Sequence, residues 1–175
     1  MTNPTDSYCN TCNKPKAKLI CGICQVSICK KCTQFIDEDS FSFLAKISKD
    51  LSHTAFCTTC FDEKISPEIL KYNEMMAAAK NMFVFMKAKF KETRMVKRLA
   101  DPIHVVECAD YDETILRLAF RGAELGYNAI IDVDITSKKV KTGNYQTTVF
   151  SGTAIPANVL EERLIKDRSN WSAPN

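Results

Sequence analysis

Hydrophobic and polar positions change rhythm along the chain, and each change predicts a different kind of structure. Residues 8–64 show short apolar runs broken by polar ones and no sustained period, the pattern of a short loop-rich unit. Inside it, Asp37-Glu38-Asp39-Ser40 precedes Phe41, Phe43, Leu44, Ile47 and Leu51. Ser40 is placed to cap a short helix with Phe43, Ile47 and Leu51 on one face.

From Ser66-Pro67-Glu68, a helix-start signature, Ile69, Tyr72, Met76, Ala79, Phe83, Met86, Phe90 and Thr93 follow a three-four spacing. No Pro or Gly interrupts before Pro102, so the pattern predicts one connecting helix of roughly 30 residues, about 45 Å long at 1.5 Å per residue. Its second part, Asn81 to Arg98, sets Met82 to Met86 beside Lys87, Lys89, Lys91, Arg94, Lys97 and Arg98 against one acid, Glu92. That half reads as a buried stripe with a solvated basic face. The stripe also suits a coiled-coil seam, and the face a membrane surface or an acidic partner.

After Asp101-Pro102 the pattern becomes α+β. Ile103 to Cys108 predicts a strand. Asp110-Tyr111-Asp112-Glu113 opens a helix with apolar faces from Leu116, Leu118, Ala119, Ala123 and Leu125, and Gly126 ends it. Ala129, Ile131, Val133 and Ile135 alternate with Asp132 and Asp134 as a half-buried strand, a turn at Thr142-Gly143-Asn144 returns the chain over Tyr145 to Ala154, and a short helix is expected from Val159 to about Arg168. A tail with the single Trp171 follows. The expected organisation is a finger at 1–64, a helical linker at 65–100 and an α+β domain at 101–175.

Cysteine spacing supplies the chemistry. Four pairs, Cys9-x2-Cys12, Cys21-x2-Cys24, Cys29-x2-Cys32 and Cys57-x2-Cys60, each let a tight turn aim two thiolates at one metal, and together they complete two four-cysteine sets for zinc. The short interval between Cys24 and Cys29 leaves little room for a separate site within Cys21–Cys32. The prediction is therefore interleaved: Cys9, Cys12, Cys29 and Cys32 on one ion, Cys21, Cys24, Cys57 and Cys60 on the other. Such all-thiolate sites are closed and structural. His53 is a further candidate ligand that reads as a bystander once four pairs are complete.

The run Cys21-Gly-Ile-Cys24-Gln-Val-Ser-Ile-Cys29-Lys-Lys-Cys32, closed by Phe56-Cys57-Thr-Thr-Cys60-Phe61, resembles the cross-braced FYVE and Rab-effector zinc fingers over residues 8–64. A RING finger, with its usual His ligand and shorter middle interval, fits less well. Lipid-reading FYVE domains carry an Arg/His motif before the third cysteine. Here that place reads Lys16-Ala-Lys18-Leu-Ile20-Cys21, so the scaffold is matched and the lipid-reading residues are not. Lys14, Lys16 and Lys18 remain candidate contacts for an anionic membrane surface or an acidic partner; they also offset the charge of the thiolate sites, as do Lys30 and Lys31.

Composition narrows the class. The chain has 175 residues, 45% apolar and 26% charged, which suits small globular units, the first dependent on its metal. The first twenty residues form no secretory signal and no run is long enough to span a bilayer, so reduced thiols in the cytoplasm are expected. Eight thiolates and two divalent ions together carry −4, which takes the formal +3 to −1, and a nucleic-acid partner is not expected on that ground.

The second half carries another resemblance. Ala119-x-x-Gly122-Ala123-x-Leu125-Gly126-Tyr-Asn128-Ala129-Ile130, Asp132-Val-Asp134 and Ser151-Gly152-Thr153-Ala154-Ile155 resemble the bacterial YbjQ-type family, called heavy-metal-binding, over residues 103–156. The resemblance implies ring-shaped homo-oligomers. His104 and Cys108 are the soft ligands of this half; on an alternating strand they point to the same face, which allows a site, yet two ligands are too few for a committed one and Cys108 reads as a small buried apolar residue. Asp132 and Asp134 are expected to share a face as paired carboxylates, with no nucleophile or phosphate loop beside them, so catalysis is not expected. The sequence thus reads as a cytoplasmic, non-enzymatic, two-zinc interaction protein whose finger is displayed on an oligomeric α+β domain. Its alternative is a peripheral membrane protein using the finger lysines and the basic helix.

Overall fold

The structure, a computed structural model, describes residues 8–15, 17–87, 100–143 and 145–160. The fold is α+β. Two compact units divide the chain, Met1–Glu74 and Met75–Asn175.

In the first unit two short antiparallel ribbons carry the cysteines. β1 (Leu19–Ile20) pairs with β2 (Ser27–Ile28), and β3 (Thr33–Phe35) pairs with β4 (Ala55–Cys57). β4 runs straight into α1 (Thr58–Cys60), a π-helical turn at Phe61–Ile65, and α2 (Ser66–Lys80). Ser66 is therefore not a free N-cap: its N–H bonds back to Phe61 O, and Pro67 follows where the ladder loses a donor. Ile28, Phe41, Leu51, Phe56 and Ile65 form the core, with Ile69 and Tyr72 packed on it. Phe41 meets Tyr72 edge-on at 5.4 Å.

The helix expected after Ser40 does not form. Ser40 N to Asp37 O, Ser42 N to Asp39 O and Leu44 N to Phe41 O, each 3.1 Å, close successive turns, and only Asp50–Ser52 is a 3-10 turn. Phe41 and Leu51 anchor this insert, whereas Ile47 is 46% exposed, so the four-residue stripe is not used.

In the second unit a four-stranded sheet has the order β5–β7–β8–β6, built from β5 (Phe83–Met86), β6 (Ile103–Cys108), β7 (Ala129–Thr142) and β8 (Tyr145–Ala157). The predicted strand at 103–108 and the hairpin turning near Gly143 are present. α3 (Tyr111–Glu124) starts at Asp110, whose Oδ1 accepts from Glu113 N at 2.7 Å while Glu113 Oε2 accepts from Ala109 N at 2.6 Å. It ends at Gly126, φ +80°, with Tyr127 N to Gly122 O and Gly126 N to Ala123 O closing the last turn.

α3 packs closely because Gly152 of β8 has no side chain: a Cβ there would lie 2.8 Å from Thr114 Cγ2 and 2.9 Å from Leu118 Cδ1. Asn128 holds the far end of the sheet, its amide donating to Val159 O at 2.8 Å and accepting from Val159 N at 2.9 Å. Neither Val159 nor Leu160 is helical, and the remainder of the helix expected to Arg168 lies outside the described residues.

The connecting helix is half as long as its pattern predicts. α2 stops at Lys80, where Asn81 Nδ2 donates to Ala77 O at 3.0 Å, and residues 83–86 become β5, parallel to β7. Phe83-Val84-Phe85-Met86 is an unbroken apolar run, three of its four residues aromatic or β-branched, which an edge strand half-buried on both faces accepts more readily than a one-sided helix. The linker expected at 65–100 therefore gives part of itself to the second unit, and the rest of the basic segment, 88–99, lies outside the described residues.

Candidate metal centre

Each metal-facing turn repeats one local design. Cys9 N donates to Lys14 O at 2.9 Å and Asn13 N to Cys9 O at 2.8 Å; Cys21 N donates to Val26 O and Gln25 N to Cys21 O, both at 3.0 Å. Asn13 (φ 53°) and Gln25 (φ 61°), each directly after the second cysteine of its pair, take the left-handed conformation that folds the turn back. The other halves come from strand ends. Cys29 follows β2, its N–H donating to Cys9 Sγ at 3.3 Å, and Cys57 ends β4, its Sγ accepting from Cys60 N at 3.5 Å.

These elements bring together the two interleaved sets read from spacing. In Cys9, Cys12, Cys29 and Cys32, and again in Cys21, Cys24, Cys57 and Cys60, all sulfurs lie within 4.8 Å of one another. No disulfide joins them. Cys12 Sγ and Cys29 Sγ are 3.7 Å apart, as are Cys24 Sγ and Cys57 Sγ. A tetrahedron with metal–sulfur bonds of about 2.3 Å has edges of about 3.8 Å. The spacing fits a bound ion, and each set can hold one. His53 is not in either set. It packs against Gly22, where an added Cβ would overlap its ring.

Electrostatics within each set point the same way. Backbone N–H groups, that of Cys29 foremost, hold Cys9 down to about 6. At Cys21 burial is the largest influence and opposes ionisation, but backbone hydrogen bonds involving Cys57, Cys24 and Ile23 outweigh it and bring the thiol to about 6. Hydrogen bonding to Cys29, then to Cys12, pushes Cys32 up to about 12, and burial, then Cys24 and Cys57, raises Cys60 further. One sulfur of each set ionises easily and another resists sharing the site as an anion. A divalent cation reconciles four thiolates at this range.

Lys14 and Lys18 are exposed on the loop between Cys12 and Cys21, and Lys16 lies outside the described residues. In the second unit Cys108 is buried, as its reading as an apolar residue expects, and neither His104 and Cys108 nor Asp132 and Asp134 keep the shared face that strand alternation gives. A bulge between Val105 and Cys108, with Glu107 at φ 58°, breaks the alternation: His104 faces solvent while Cys108 is 1% exposed. A second bulge between Ile131 and Asp134, with Asp132 at φ 52°, separates the two aspartates, and Asp134 pairs with Lys87 at 3.2 Å. Among the described residues no helix is long and apolar enough to cross a membrane. Comparison with family models, curated proteins and solved structures finds no match to the chain.

Proposed function

We propose that the chain is a non-enzymatic zinc-binding interaction protein, a FYVE-like cross-braced finger displayed on a homo-oligomeric YbjQ-like domain in the cytoplasm. The observation that carries the reading is the pair of closed four-sulfur sets, each drawing one half from a turn and the other from a strand end. Zinc suits four thiolates in tetrahedral array without redox chemistry, and a full donor set leaves no position for a substrate. The ions would fasten ribbons too small to fold alone, and the finger would then present its surface to a protein partner.

Support for the YbjQ-like reading comes from the tasks of its motif residues. Gly126 closes α3, Asn128 clamps residue 159, Ala129 is fully buried, and Gly152 seats α3. β5 and β6 also leave both sheet edges open among the described residues, and copies of the chain would cover them.

Native mass spectrometry of the full chain tests the whole: an oligomer with two zinc ions per subunit is expected, and a zinc-free or monomeric chain contradicts it. One observation favours the membrane alternative. Ile20, 57% exposed, follows exposed Lys18 on the finger. Co-sedimentation with anionic liposomes that weakens with salt supports that alternative; no pelleting at low salt removes it.

A further inference from the structure

The β7–β8 hairpin outgrows its sheet. β6 pairs with β8 only as far as Cys108 opposite Phe150, yet β7 and β8 continue through Lys138↔Val149, Lys139↔Thr148, Val140↔Thr147, Lys141↔Gln146 and Thr142↔Tyr145. Five register pairs at about 3.4 Å per residue make a two-stranded arm of about 17 Å. Isolated two-stranded ribbons are marginal in water, so an arm of this length calls for something that it lies against.

Its chemistry selects the partner. No Asp or Glu occurs from Ile135 to Leu160, and Lys138, Lys139 and Lys141 are all exposed. Among the described residues no ion pair reaches these lysines. Residues opposite one another share a face, so Lys139, Lys141, Gln146 and Thr148 form a two-by-two block of cationic and hydrogen-bonding side chains. The other face has Lys138 and, as apolar surface, Val140, 37% exposed, Val149 and the single ring of Tyr145, 81% exposed, and Gly143 occupies the tip, too little for insertion into a bilayer.

We propose that this arm docks in the major groove of duplex DNA, with Lys138, Lys139 and Lys141 reaching phosphates and Gln146 and Thr148, which share the Lys139–Lys141 face, toward base edges. The groove, about 12 Å wide, admits a two-stranded ribbon, and Lys, Gln and Thr are side chains that hydrogen-bond there. This replaces the expectation drawn from net charge, which averages two unlike units. Residues 1–74 have nine Lys and Arg and nine Asp and Glu, so the negative charge of the thiolate sites falls entirely there; residues 75–175 have fifteen against twelve.

The test is fluorescence anisotropy of a labelled 20-base-pair DNA duplex titrated with the metal-loaded full chain across a salt series. Three lysine–phosphate contacts predict a slope of log affinity against log salt of about −3 or steeper. Lys139→Gln with Lys141→Gln should weaken binding at least tenfold near 50 mM salt and reduce the slope by about two-thirds, while Lys14→Gln with Lys18→Gln leaves both unchanged. Absence of duplex binding overturns the proposal. So does binding that survives the arm variant, or attachment to phosphatidylserine vesicles without duplex binding.

Discussion

At the scale of single residues, the metal sites depend on which cysteine belongs to which set. Cys29→Ser should release one ion and leave the set containing Cys21 loaded, whereas Cys57→Ser should release the other and leave the set containing Cys9. Metal stoichiometry of each variant, read with cadmium or cobalt spectra, checks the pairing; loss of both ions from either variant in a folded chain would count against independent sites. Membership was legible in the sequence because two-residue spacing fixes each pair and the short middle interval forces interleaving. The left-handed Gln25 was not, since nothing in its chemistry favours that conformation as Asn13 does. Glu107 hid its bulge for the same reason, and Asp132, though of a type that tolerates the left-handed region, hid the other inside an alternating pattern; with them went the separation of His104 from Cys108 and of Asp132 from Asp134. Gly152 gives a second prediction at this scale. Gly152→Val must push into Thr114 and Leu118, costing about 1–3 kcal/mol in the second unit, seen as a lowered thermal midpoint with metal content unchanged.

At the scale of elements, the run from Met82 to Met86 was the ambiguous stretch. Its apolar residues satisfy a helical three-four spacing and a continuous buried strand equally, and tertiary pairing with β7 decides between them. α3 was legible at both ends, because Asp110, Glu113 and Gly126 each carry a local capping chemistry that does not wait for the rest of the fold. Phe85 is 4% exposed in β5, against Ala129 and Ile131. Phe85→Ala should therefore cost about 3–5 kcal/mol. Denaturant unfolding followed by amide exchange on β7 reports it; an effect under about 1 kcal/mol would show that β5 is not part of the sheet's core.

At the scale of the whole molecule, the two units have different sources of stability. The first has a small core, Ile28, Phe41, Phe56 and Ile65 at its centre, and two sulfur sets that can each hold an ion to supplement it; the second has a four-stranded sheet and α3 around Leu118, Phe120, Ile130 and Val133. Chelation should unfold residues 1–74 and leave the amide protection of β7 and β8 in place. Cross-bracing of the first unit by two ions, one in each sulfur set, makes the metal count per chain decisive. Native mass spectrometry of the chain as purified counts them: two divalent ions per chain, both lost with chelator and both restored on adding zinc, are predicted. One ion per folded chain, or a mass four to eight hydrogens short because the cysteines have formed disulfides, would contradict it.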